Sequence, residues 1–484
     1  GAFAPYTSFD ARCVSPRTGT DPFTGQPFPD RSGTRTDQNN WLRSWTNDLY
    51  LWYSEVVDQD PGLFTTPDYF ELMMTTATTT SGSPKDKFHF SLSSADWFQL
   101  SQSGAQAGYG VAWVILSAVP PRRVVVAFTE PGTAASTAPA NLTRGAEVLH
   151  VDGVNVVNDN TQAGVDTLNA GLFPTVSGQI HSFEVRDPGG VQRTFAMTSA
   201  IVTSDPVQNV QVIATPSGPV GYMLFNDHIA PSEAQLIDAV TFLQAQMVTD
   251  LVLDLRYNGG GFLDIASEMA YMIAGAARTS GTTFELLQFN DKHPTRDPVT
   301  GQLIAPIPFH QVSQGFSGPA NQALPSLNLD RVYVLTGSDT CSASESIINS
   351  LRGVDVEVIQ VGSTTCGKPY GFYATDNCGT TYFSIQFRGV NAKNFGDYTD
   401  GFSPQNTLGV GGERIPGCSI ADDFSQPLGD PAEGRLAAAL GLRRGEACAL
   451  PTGISLKSSD AESVPIPTGH MPKSPWRENR ILRN

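Results

Sequence analysis

The sequence predicts an α/β protein whose largest unit is a mostly parallel sheet, preceded by a β-rich domain and a small helical domain. Three observations lead there. From residue 204 to 450, apolar runs that read as buried strands alternate with helical periods. Short β-branched runs separated by turns fill residues 104–203. A tryptophan stripe at helical spacing lies within residues 37–103.

Composition bounds the function. The chain has 484 residues, long enough for roughly two to four domains. Apolar residues make up 40% and charged residues 16%, a globular rather than a disordered balance. The net charge of −17 speaks against nucleic acid and against anionic membrane surfaces as partners, because both need basic patches. No run of 18 apolar residues is present, so no transmembrane helix is expected, and no signal segment is visible. The cysteines at 13, 341, 366, 378, 418 and 448 form no CxxC pair, so neither a zinc knuckle nor another metal site is expected. Cys366/Cys378 and Cys418/Cys448 lie in Gly-rich loop sequence, where short disulfide loops compete with free buried thiols. Disulfides would place the protein in the periplasm, at the cell surface or outside the cell.

Each element follows in order. Residues 1–36, rich in Pro, Gly, Thr and Asp, read as an extended leader. Trp41, Leu42, Trp45, Leu49 and Trp52 then share one helical face, and a second helix covers 67–75. In the β-rich region, 108–116 and 123–128 are strands. The α/β core offers strands at 210–215, 220–225, 250–256, 331–337 and 356–362. Its helices fall at 231–247, 265–275 and 343–353. Residues 451–484 form a polar, Pro-rich tail.

Three segments carry chemistry, each just after a core strand, where such sheets place ligands. In DLRYNGGGF (254–262), three successive glycines suit close backbone approach and N–H groups aimed at an oxyanion. A tight turn is the alternative, and the spacing fits no phosphate loop. In TGSDTCSASESI (336–347), Ser342 and Ser344 sit where a strand turns into a helix. There a serine is either a nucleophile near free N–H groups or an N-cap. In VGSTTCGKPYGFY (361–373), Lys368 lies in an apolar, Gly-rich loop. As a base it must fall from a pKa of about 10.4 to near 7, about 4 kcal/mol of environment. A salt bridge or exposed turn is the alternative.

Together, DLRYNGGG, SASE and a Gly-Lys pair whose lysine lies 26 residues past the serine resemble the C-terminal processing (tail-specific) proteases. The resemblance spans about residues 37–450 and implies a crotonase/ClpP-like core. It makes Ser342 the nucleophile and Lys368 the base. Gly260 or Gly261, with Ala343, would supply the oxyanion donors. It implies no cofactor, and a protein or peptide substrate. The stretch 130–156 resembles a PDZ-domain segment, with Ala146 in place of the usual Asp. Gly108, Tyr109, Gly110 and Val111 would then accept a peptide C-terminus through a Gly-turn nest and a strand edge.

The chain also departs from the family pattern. Where relatives keep an orienting Asp or Gln, it has Gly353 and Phe372, with Asp355 two residues beyond the first. Cys341 directly before the serine is unusual. A Ser/His variant would draw its base from His89 or His228. A non-catalytic peptide-binding protein on the same fold is the alternative of another class.

Overall fold

The computed structural model describes residues 3–409, 412–451 and 479–481. Its first long helix, α1 (Arg35–Leu49), opens on a capping box. The Asp37 N–H donates to Thr34 Oγ1 at 3.1 Å and the Thr34 N–H to Asp37 Oδ2 at 2.8 Å. Such a cap contributes about 1 kcal/mol. The tryptophan stripe is core: Trp41 and Trp45 stack at 5.2 Å and pack on Tyr382 of the α/β unit. Residues before α1 fold back on this segment. Arg12–Cys13 pairs with Arg31–Ser32, Asp10 accepts the Trp41 indole N–H, and Cys13 is bonded to Cys378. The expected Cys366/Cys378 loop is therefore corrected. Cys378 pairs 365 residues upstream and Cys366 pairs with Cys341, while Cys418–Cys448 closes a short loop. Local spacing cannot register a bond between segments that only tertiary packing brings together.

The β-rich domain contains β1 (Val111–Ser117), β2 (Arg123–Thr129), β3 (Glu147–Val151), α2 (Gln162–Leu172), β4 (Ile180–Arg186) and β5 (Gln192–Thr198). The sheet runs β5-β4-β3-β2-β1, which leaves β1 at an edge. Inward residues Trp113, Val126, Val148, Phe183 and Phe195 pack with Leu168 and Leu172 of α2.

At the junction with the core, the partly buried Glu130 carboxylate accepts bonds from the Asp205 N–H (3.0 Å), Ser204 Oγ (3.2 Å) and Gln208 Nε2 (2.9 Å). Burial pushes its pKa up to about 7, against the bonds that favour the anion. A carboxyl raised on folding stabilises fully below its unfolded pKa, and the contribution is lost as pH rises through the folded value. Wild-type protein should thus lose about 1 kcal/mol between about pH 6 and pH 8. Urea unfolding at the two pH values checks this, and Glu130→Gln should flatten the difference.

The core sheet contains β6 (Val207–Ile213), β7 (Val220–Phe225), β8 (Asp250–Asp254), β10 (Arg331–Thr336), β11 (Glu357–Gly362) and β13 (Gly417–Ser419), in that order. Only β6–β7 is antiparallel. Helices α3 (Ser232–Ala245), α4 (Leu263–Ala274) and α5 (Ala343–Gly353) cover one face, and α6 (Gly434–Arg443) packs on the other. Coverage of both faces explains why β7 and β8 are buried along their whole length. The short strands β9 (Gly260–Phe262) and β12 (Tyr370–Gly371) lie beyond the ends of β8 and β11. One further strand, β14 (Asn479–Ile481), comes from the tail, whose remaining residues beyond 451 lie outside the described part.

The fully buried Arg256 ties the end of β8 to the C-terminal part of the core. It bonds Asp254 (2.9 Å), Asp422 (2.7 Å) and both Glu433 oxygens (2.8 and 2.9 Å). Its charge is fully paired, the condition under which a buried cation is tolerated. No helix among the described residues is long and apolar enough to cross a membrane.

Candidate active site

Three loops at the C-terminal ends of β8, β10 and β11 meet at one place. The first holds Asn258, whose side chain and backbone join its own loop to residues 225–228 and 341–344. Its Oδ1 accepts the Gly260 N–H (2.9 Å) and lies 3.0 Å from His228 Nδ1, while Nδ2 donates to the Phe225 carbonyl (2.9 Å). Its backbone carbonyl accepts the Cys341 N–H (3.1 Å) and Ser344 Oγ (3.0 Å). Ser344 is thereby spent on structure.

Ser342 stands differently. Its backbone has φ 57° and ψ −111°, a conformation that costs a non-glycine residue about 1–3 kcal/mol. Its Oγ is buried, makes no cap bond and has no hydrogen-bond partner. Of the capping-box spacing with Glu345, only the half from the Ser342 N–H to the carboxylate is a hydrogen bond, and the hydroxyl itself caps nothing.

Glu345, one turn into α5, holds the turn in place. Its Oε2 accepts the N–H of Ser342 (2.9 Å) and of Lys368 (2.8 Å). Its Oε1 accepts the N–H of Gly367 (2.9 Å) and Thr365 Oγ1 (2.5 Å). Burial pushes its pKa up, opposed by these bonds. The Cys341–Cys366 disulfide crosses the same gap, with Cα atoms 5.2 Å apart. Cys341, Glu345 and Cys366 form the one cluster of metal-ligating groups among the described residues, but its sulfurs are bonded to each other and its carboxylate is engaged.

Lys368 is fully buried, and its ammonium nitrogen lies 4.6 Å from the ring centres of both Phe88 and Phe372. The surface-turn alternative fails here. Phe372 occupies a position where relatives were expected to hold a polar orienting group, and its ring packs over the lysine instead.

The glycine strand β9 is bound on one side by His228. The Gly260 carbonyl accepts the His228 N–H at 3.0 Å, and the Phe262 N–H donates to the His228 carbonyl at 2.8 Å. Alternation along a strand then turns the Gly261 N–H and C=O to the other edge. A side chain cannot replace the hydrogen at Gly261: φ is +134°, and a Cβ would fall 2.3 Å from the His228 carbonyl oxygen. The Gly260 N–H is already given to Asn258, so of the two expected glycine donors only Gly261 turns its N–H to the edge of β9 away from His228. Ala343 is the first residue of α5, so its N–H has no acceptor within the helix.

Neither histidine hydrogen-bonds to Ser342. The His89 ring stacks on Phe70 at 3.9 Å with Nε2 2.8 Å from the Phe70 carbonyl, and burial lowers its pKa. Burial pushes His228 down to about 3. Gly353 ends α5 and Asp355 pairs with Lys393, so neither joins the site. In the β-rich domain, Gly108–Val111 leads into the edge strand β1. There Tyr109 donates to the Gly171 carbonyl (2.9 Å) and Trp113 Nε1 to the Leu172 carbonyl (3.1 Å), which braces β1 against the end of α2.

Residues 219–371, which include all three loops, match the family described as Peptidase family S41. The chain carries a peptidase family S41 domain. The likeness to this peptidase family lies in the part of the core that holds the three loops. An S41 protease structure from Bacteroides fragilis is 21% identical, with a TM-score of 0.61 over 84% of this chain and 97% of that one, which shows a shared fold. The photosystem II D1 C-terminal processing protease (19% identity, 78% and 94% covered) and mature CPAF (12%, 78% and 92%) give TM-scores of 0.44 and 0.41, too low to equate folds. No curated protein matches the chain.

Proposed function

We propose that this protein is a serine endopeptidase working through Ser342 and Lys368. One observation carries the reading. A single Glu345 oxygen holds the N–H of both residues, while the hydroxyl on the strained Ser342 turn caps nothing. Lys368 Nζ takes the proton as Oγ attacks the peptide carbonyl. The Gly261 and Ala343 N–H groups stabilise the oxyanion. As the C–N bond breaks, the lysine returns the proton to the amine. Water, deprotonated by the same lysine, then cleaves the acyl ester to a carboxylic acid and restores the serine. Burial between Phe88 and Phe372 is the kind of surrounding in which desolvation disfavours an ammonium, although ring faces also attract it.

The β-rich domain would supply the substrate. Its edge strand β1, entered through Gly108, Tyr109, Gly110 and Val111, suits strand addition by a peptide C-terminus in the PDZ manner. The space between Ile115, Ala118, Leu168 and Leu172 is only about 30 Å³, so β1 and α2 must part to admit a side chain. Three disulfides among the described residues favour the periplasm, the cell surface or the exterior.

A fluorophosphonate probe tests the nucleophile. Intact protein should be labelled, with the adduct mapping to Ser342 by peptide mass analysis. Labelling that persists in Ser342→Ala would overturn the assignment.

A further inference from the structure

The far edge of β9, which the proposed reaction needs for substrate, is occupied by this same chain. Strand β14 pairs with β9 in parallel, setting Asn479 opposite Gly260, Arg480 opposite Gly261 and Ile481 opposite Phe262. It also lies against α5, which begins right after Ser342, and against β12, which begins two residues after Lys368.

The register makes the pairing specific. In a parallel ladder a residue's N–H reaches the carbonyl one position before its partner. The Gly261 N–H therefore meets the Asn479 carbonyl, and the Ile481 N–H meets the Gly261 carbonyl. A backbone carbonyl of the tail thus takes the N–H assigned to the oxyanion. Charge points the same way. Residues 473–484 hold Lys473, Arg477, Arg480 and Arg483 against one acid, Glu478, in a chain of net charge −17. A basic segment is attracted to an acidic body, and such steering raises the effective concentration of a tethered strand.

We infer that the segment around Asn479–Ile481 is an intramolecular inhibitor. It fills the substrate groove as an added strand and marks β9 as the site where an extended peptide substrate lies in parallel register. This rests on the peptidase reading above for its consequence, but not for the docking itself. Exchange of tail for substrate would then limit turnover of small peptides.

The test uses the full chain. Ile481→Pro removes the N–H that bonds Gly261 and leaves the proposed catalytic groups untouched. Its kcat/KM on an unstructured peptide should rise about tenfold over wild type, as expected when a loss of about 1.4 kcal/mol weakens the docked state. A fluorescent peptide of sequence 473–484 should bind the double variant Ser342→Ala, Ile481→Pro in anisotropy titrations, and the same peptide carrying Ile481→Pro should not. Equal rates for Ile481→Pro and wild type, both labelled by the fluorophosphonate, overturn the inhibitor. Absence of peptide binding to the double variant overturns the docking. Peptide binding without any labelling of Ser342 keeps the docking and overturns the peptidase reading, so the two failures are told apart.

Discussion

Lys368→Met should lower kcat by about a thousandfold while leaving the fold intact. General-base catalysis typically contributes about 10² to 10⁴ in rate. Methionine keeps the unbranched stem that packs between Phe88 and Phe372 and removes only the amine. The variant should still unfold cooperatively in thermal unfolding, which shows that the fold is kept. The pH profile carries the mechanistic content. A base must be unprotonated, so the wild-type rate rises with pH through the lysine's apparent pKa and is lost below it. In Lys368→Met the residual rate should lose that rise. His89→Gln, normalised to fluorophosphonate-labelled sites, should stay within about threefold of wild type, because the imidazole is bonded to the Phe70 carbonyl. Wild-type turnover in Lys368→Met, or a thousandfold loss in His89→Gln, would move the base to the histidine.

What sequence reading could and could not reach follows from the range of each interaction. The core strands were legible because parallel strands covered on both faces must be apolar along their length, as in DLVLD. Ser342, Lys368 and the glycine stretch stood out as candidates because each sits at a strand end among small or apolar residues, but the pattern alone left a helix cap, a surface turn and a tight turn open, and the family resemblance joined them into one candidate site. The cysteine partners were not. Cys13 and Cys378 are neighbours only after the N-terminal segment docks through Trp41, Trp45 and Tyr382. Asn258 carried a signal, the polar residue just before the glycines, but its role depends on a carbonyl facing Cys341 and Ser344 from another loop. The distinction between Gly260 and Gly261 required knowing which side of β9 faces His228. Phe372 breaks the expected pattern of a polar group near the lysine, and only the fold shows its ring filling that space.

Glu345 is the residue whose loss should matter most among those outside the proposed chemistry, and its signal was present in the sequence. Serine followed three residues later by glutamate is a capping-box spacing, S-x-x-E. The carboxylate does bond the Ser342 N–H, but its other bonds reach the lysine loop at Thr365, Gly367 and Lys368. Glu345→Ala removes the acceptor for three buried N–H groups at once. Each orphaned donor costs about 1–3 kcal/mol, and the positive-φ turn at Ser342 loses one of its restraints. The Cys341–Cys366 bond still joins the loops, so the expected result is a displaced site rather than an unfolded protein. Misplacement of about 1 Å can cost a hundredfold in rate, so kcat per labelled site should fall by about that factor with KM little changed. Glu345→Gln retains one acceptor oxygen and should recover part of the loss, the order wild type, Gln, Ala being the signature of positioning through hydrogen bonds. Equal activity per labelled site in all three proteins would show that the carboxylate only stabilises the fold.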